Sequence, residues 1–60
     1  MITVDDKIKG SNVYGKNNTL TGTVTAVEHP EGTYIMEDII TVKWDDGQTA
    51  RFYRKNIHNS

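Results

Sequence analysis

The chain has 60 residues, enough for one small domain spanning 1–60, and a domain of that size buries only about 60% of the surface its unfolded form exposes. It contains no cysteine, which excludes disulfide staples and thiolate-held metals. Seven Lys+Arg against eight Asp+Glu leave a formal charge of −1, which argues against a strongly basic nucleic-acid clamp and a strongly acidic nucleic-acid mimic.

No apolar run approaches the roughly 20 residues a bilayer crossing needs. The opening Met1-Ile2-Thr3-Val4-Asp5-Asp6 lacks the basic and apolar regions of a secretion signal. A cytoplasmic protein without a membrane segment is therefore expected. The informative count is of β-branched residues: six Ile, five Val and eight Thr stand against one Leu and two Ala. Such side chains are stiff at χ1, suit a pleated surface and lose freedom in a helix. No window shows the i, i+3, i+4, i+7 apolar spacing of an amphipathic helix. The fold class expected is all-β.

The first strand is expected from Ile2 to Lys9, ended by Gly10-Ser11-Asn12. A loop follows through Gly15-Lys16-Asn17-Asn18, residues that tolerate positive φ. Asn17-Asn18-Thr19 matches a glycosylation sequon that a protein without a secretion signal does not use. The second strand, Leu20 to Val27, sets Leu20, Gly22, Val24 and Ala26 against the threonines. Val27 then falls on the threonine side, which predicts a bulge or sharp bend near Ala26. His29-Pro30-Glu31-Gly32 breaks the alternation, and the chain to Asp38 is expected to form a long loop or irregular edge. The third strand is Ile39 to Trp44, with Ile40, Val42 and Trp44 on one face. Asp45-Asp46-Gly47 predicts a hairpin, either a type I′ turn or a three-residue loop with a left-handed glycine. The fourth strand runs from Gln48 to Tyr53, and Arg54-Lys55-Asn56-Ile57 reads as a short, 3₁₀-like turn into a last brief strand. The core is expected from Val4, Ile8, Val24, Ala26, Ile40, Val42, Phe52 and Ile57.

Lys7-Ile8-Lys9-Gly10, Gly22-Thr23-Val24, Val42-Lys43-Trp44-Asp45-Asp46-Gly47, Phe52 and Ile57 together resemble a small SH3-like barrel of the Tudor/KOW type. That resemblance implies five short strands curled into a barrel, which also protects sheet edges. The plasmid-borne dihydrofolate reductases use barrels of this size, with a Val-Gln-Ile-Tyr run on the pore strand. Ala50-Arg51-Phe52-Tyr53 is similar to that run only at the tyrosine, and Arg51 stands where the ligand-contacting glutamine would be. The comparison supports a barrel and speaks against the activity.

Catalytic chemistry has little to stand on. His29 and His58 sit in polar segments with no Ser or Cys nucleophile beside them in a recognisable motif, and both read as solvated. Asp45 and Asp46 are turn formers. Glu28, Glu31, Glu37 and Asp38 match no calcium-loop spacing. No enzyme activity, cofactor or metal is expected. An aromatic pair of Tyr14 and Trp44 would form a cation-binding cage if exposed, whereas Trp44 facing Phe52 across the hairpin would fill the core.

Charge is uneven. Residues 28–46 hold six acids against Lys43, and residues 47–60 hold Arg51, Arg54 and Lys55 with no acid. Arg51, Tyr53, Arg54 and Lys55, with Lys43 on the neighbouring strand, form the candidate partner-binding patch. The expected function is a non-enzymatic protein-interaction module. Its threonine-rich strands and asparagine-rich loop are similar in style to short bacteriophage-encoded accessory proteins, which implies a protein partner such as a host or phage enzyme and a location in the host cytoplasm. The alternative is binding of RNA or single-stranded DNA through the basic strand, joined by Lys7 and Lys9. So small a core is compatible with a monomer or a homodimer.

Overall fold

A computed structural model describes residues 2–13 and 20–58. Four strands, β1 (Lys7–Lys9), β2 (Thr21–Glu28), β3 (Ile39–Trp44) and β4 (Thr49–Tyr53), form an antiparallel sheet in the order β1-β2-β3-β4. Single 3₁₀ turns occupy Gly10–Asn12, Ile35–Glu37 and Arg54–Asn56. No helix among the described residues is long and apolar enough to cross a membrane.

The sheet is open. The expected fifth strand contracts to one isolated antiparallel bridge, Val13↔Ile57, with the His58 N–H donating to the Asn12 carbonyl at 2.7 Å. A 3₁₀ turn immediately precedes the bridge on each side. Tyr14, Lys16 and the Asn17-Asn18-Thr19 sequon lie outside the described residues.

β1 is shorter than expected because the chain turns over Thr3–Asp6. The Asp6 N–H donates to the Thr3 carbonyl at 3.1 Å, and the Thr3 N–H to Asp6 Oδ2 at 2.9 Å. Asp5 takes the left-handed conformation, φ 76°, which aspartate tolerates better than most residues. That turn carries Val4 outward to 49% exposure, so the expected core position at Val4 is corrected; Ile2 is buried instead.

The bulge expected near Ala26 is present. Val24 pairs with Val42, and the next partners are Ala26 with Thr41 and Val27 with Ile40. One extra residue exchanges the two faces of the strand. Ala26 therefore moves to the outward side with Thr41, and Val27 turns in against the core. Ala26 is the second corrected core position. Ile8, Val24, Ile40, Val42 and Ile57 are buried together with Ile2, Val13 and Trp44, and Phe52 packs half-buried against them.

The β3–β4 loop is the three-residue form. The Gly47 N–H donates to the Trp44 carbonyl at 2.9 Å and the Trp44 N–H to the Gln48 carbonyl at 2.7 Å. Gly47 sits at φ 91°, where a residue with a Cβ would be strained.

Candidate functional site

Two groups of polar side chains flank the β3–β4 hairpin. The inner one centres on Asp38, which immediately precedes β3 and is 5% exposed. His29, just past β2, bonds Asp38 Oδ1 through Nδ1 at 2.5 Å. Arg54, just past β4, donates from Nε to Asp38 Oδ2 at 3.1 Å, with its Nη2 3.0 Å from the same oxygen. Its Nη1 donates to the Ile2 carbonyl at 3.1 Å. The cluster ties the N-terminal turn, the end of β2 and both strands of the hairpin together. Both oxygens of the buried carboxylate are thus engaged, as burial of a charge requires.

The hydrogen bond from His29 is the largest influence on Asp38. Burial opposes it, and the Arg54 hydrogen bond and charge add to it, leaving the carboxyl below its ordinary range. A group with a depressed folded pKa stabilises the fold above the unfolded value, about 3.9 for aspartate, and loses that contribution as pH falls through the folded value. The wild-type melting temperature should therefore fall on acidification below about pH 4. Asp38→Asn should melt lower at neutral pH and show a shallower acid decline, measured by circular dichroism across pH 2 to 7. Parallel acid profiles for the two proteins would remove Asp38 from the acid response.

The outer group lies on the solvent side of the sheet. Pairing sets Thr41 beside Arg51, Ile39 beside Tyr53 and Lys43 beside Thr49, all on that side. Lys7 pairs with Thr23, and Thr23 with Lys43, which brings Lys7 to the same face. Lys7 Nζ donates to Thr23 Oγ1 at 2.8 Å. Arg51 is 3.5 Å from Glu28, with both side chains 59% exposed; a pair so open to solvent contributes about 0–1 kcal/mol. β4 ends at Tyr53, yet the 3₁₀ turn folds Lys55 back so that Nζ lies 5.4 Å from the Tyr53 ring centre, a cation–π contact. A shallow cleft of about 240 Å³ is lined by Ile39, Arg51, Phe52 and Tyr53.

Four of the five candidate patch residues thus stand outward: Lys43, Arg51, Tyr53 and Lys55 are exposed. Arg54 is not among them. Its guanidinium faces Asp38 and the Ile2 carbonyl, with the side chain only 11% exposed. Trp44 is 1% exposed and meets Phe52 edge-on, 6.2 Å between ring centres at 81°. It belongs to the core and is not available to a cage with Tyr14. His29 is exposed, as its sequence context implies, and in addition bonds Asp38 from that exposed position. The sequence also carries Tyr34, Ile35 and Met36, three exposed residues at the cap and start of the 3₁₀ turn in the β2–β3 loop, with Tyr34 83% exposed. Three consecutive large side chains inside an otherwise polar loop were the signal for them. Among the described residues, no three His, Asp or Glu side chains converge as a metal ion would require.

Comparison with protein-family models, with curated proteins and with solved structures returned no match.

Proposed function

We propose that the protein is a non-enzymatic protein-interaction module whose contact face comprises Lys43, Arg51, Tyr53 and Lys55. The observation that carries this reading is the grouping of Arg51 and Tyr53 on the outward side of β4, beside an apolar cleft. Arginine and tyrosine combine broad contact area with directional donors and are enriched at interfaces. The exposed Tyr34, Ile35 and Met36 add apolar surface of the kind a protein partner covers. The reading includes an SH3-like barrel of the Tudor/KOW type, supported by the Val13↔Ile57 bridge between the two ends of the sheet and by the bend at the β2 bulge. It also includes an accessory role toward a host or phage enzyme, supported by the style of the strands and loops.

The test is capture of a partner from nuclease-treated lysate by wild type and by Arg51→Glu combined with Lys55→Glu. The double variant should lose the partner and keep its melting temperature. Arg54→Glu is unsuitable, because it would set a second carboxylate against the buried Asp38. The two exchanges take the net charge from −1 to −5, so Lys16→Glu, at a residue outside the proposed contact face, serves as the control for added negative charge. Equal loss in that control, or retention in the double variant, would reject this face.

One observation favours a second reading. Lys7 and Lys43 lie on the same face as Arg51, a cationic surface with a tyrosine suited to single-stranded nucleic acid. Under that reading, oligonucleotide affinity falls steeply with salt, and nuclease treatment abolishes capture.

A further inference from the structure

The free edge of β4 has a definite hydrogen-bonding phase. The Trp44–Gln48 bond (2.7 Å) closes one end of the β3–β4 ladder and the Arg54–Asp38 bond (2.8 Å) closes the other. Antiparallel ladders alternate bonded and non-bonded pairs with a period of two residues. Between those ends, Val42↔Ala50 and Ile40↔Phe52 are the bonded pairs, while Lys43↔Thr49, Thr41↔Arg51 and Ile39↔Tyr53 are the non-bonded ones. Thr49, Arg51 and Tyr53 therefore turn their main-chain groups away from β3, and among the described strands only β3 lies along β4. The same residues carry the outward side chains of the proposed contact face.

We infer that β4 takes an extended acidic peptide as an added strand, with a carboxylate beside Arg51 and, two residues along, an apolar side chain beside Tyr53 in the cleft. The inference rests on the protein-binding reading above and names its partner class. Side chains on one face of a strand recur every second residue, so the motif is an acidic residue, any residue, then an aliphatic or aromatic one. Charge selects this occupant over a second copy of the chain. Two β4 edges paired antiparallel about Arg51 would set Arg51 against Arg51, and like charges directly opposite are destabilising. An acidic strand meets Arg51 and Lys55 with opposite sign. Main-chain pairing supplies affinity and alternate side chains supply specificity.

The probe is a capped hexapeptide in which glutamate occupies the first two outward positions and phenylalanine the third, with valine or threonine between them. The reversed sequence covers both strand directions. At about 1 mM peptide, where a Kd of about 0.1 mM leaves roughly one molecule in ten unbound, amide hydrogen exchange at Thr49, Arg51 and Tyr53 should slow about tenfold, and about twofold for a Kd of about 1 mM, because these N–H groups become paired. Ala50 and Phe52, already bonded to β3, should not change. N-methylation of the peptide at alternate residues should abolish the protection although every side chain is kept, and Arg51→Glu should weaken binding at least tenfold. Unchanged exchange at the three amides with both peptides, or an N-methylated peptide that binds equally well, overturns strand addition. If the Arg51→Glu, Lys55→Glu variant still loses its protein partner in that case, the contact face stands and only the edge inference falls. Displacement of the peptide by a second copy, seen as concentration-dependent protection without peptide, would also overturn it.

Discussion

Trp44→Ala should leave the chain without a cooperative thermal transition. Trp44 is the largest of the fully buried side chains, seated between Gly22 on β2 and Phe52 on β4. Truncating a buried tryptophan costs about 3–5 kcal/mol from lost burial and the cavity left behind. A single core in a domain this small rarely supplies more than about 3–5 kcal/mol in total. The loss is therefore of the same size as the whole stability, and amide dispersion in a proton–nitrogen spectrum should collapse. Trp44→Phe, which keeps an aromatic edge toward Phe52, should remain folded with a lower melting temperature. A melting temperature for Trp44→Ala within about 5 °C of wild type, equivalent to roughly 0.6 kcal/mol in a domain of this length, would show that Trp44 is not the centre of the core.

The hairpin was the most legible part of the chain. Ile39–Trp44 alternates cleanly, Asp45-Asp46-Gly47 names its own turn, and the alternation of Ala50 and Phe52 against Arg51 and Tyr53 follows. The bulge in β2 was legible too, since Val27 could reach the core only if the strand slipped by one residue. What the local pattern did not reveal was which way the slip sent Ala26. The N-terminal segment misled for a different reason. Ile2 and Val4 have the spacing of one strand face, but the left-handed Asp5 reverses the chain between them and Ile8, and aspartate at such a position is too common elsewhere to signal a turn by itself. Barrel closure depends on what two 3₁₀ turns do to the chain ends, which side-chain periodicity does not encode.

Part of the Asp38 cluster was legible in hindsight. Once the loop is placed at residues 45–47, counting outward along the hairpin brings Ile39 opposite Tyr53, and one step further brings Asp38 opposite Arg54. An acid and an arginine flanking paired strands are natural ion-pair partners, so Arg54 could have been withdrawn from the surface patch by arithmetic alone. His29 could not. Its place beside Asp38 follows from the pairing of Glu28 with Ile39, and that register is set only after the bulge. The outward placement of Arg51 and Tyr53 needed only the two-residue period of β4. The ion pair of Arg51 with Glu28 lay beyond reach, because it crosses from β4 over β3 to the end of β2.

Gly22→Val should also destabilise strongly, by overfilling the same contact from the opposite side. Gly22 pairs with Trp44, and a Cβ at Gly22 would fall 2.5 Å from Val42 Cγ1, 2.8 Å from Trp44 Cε3 and 3.2 Å from the Lys43 carbonyl oxygen. The first two neighbours are fully buried and the third is backbone, so none can swing aside into solvent. Inserting extra carbons into a packed core costs about 1–3 kcal/mol and occasionally more, and valine adds two carbons beyond the Cβ that already collides. The glycine thus does not serve a special backbone angle here; it leaves room for the indole to lie across the strand. Coupling between the two positions can be measured directly. Val42→Ala deletes the methyl nearest the new Cβ, so Gly22→Ala combined with Val42→Ala should cost less than the sum of the single exchanges, by about 0.5 kcal/mol or more, as contacting residues do. Urea unfolding of wild type, both single variants and the double variant gives the four free energies. Additivity to within about 0.3 kcal/mol, the behaviour of independent sites, would mean that β2 and β3 do not approach as closely at Gly22 as the structure has them.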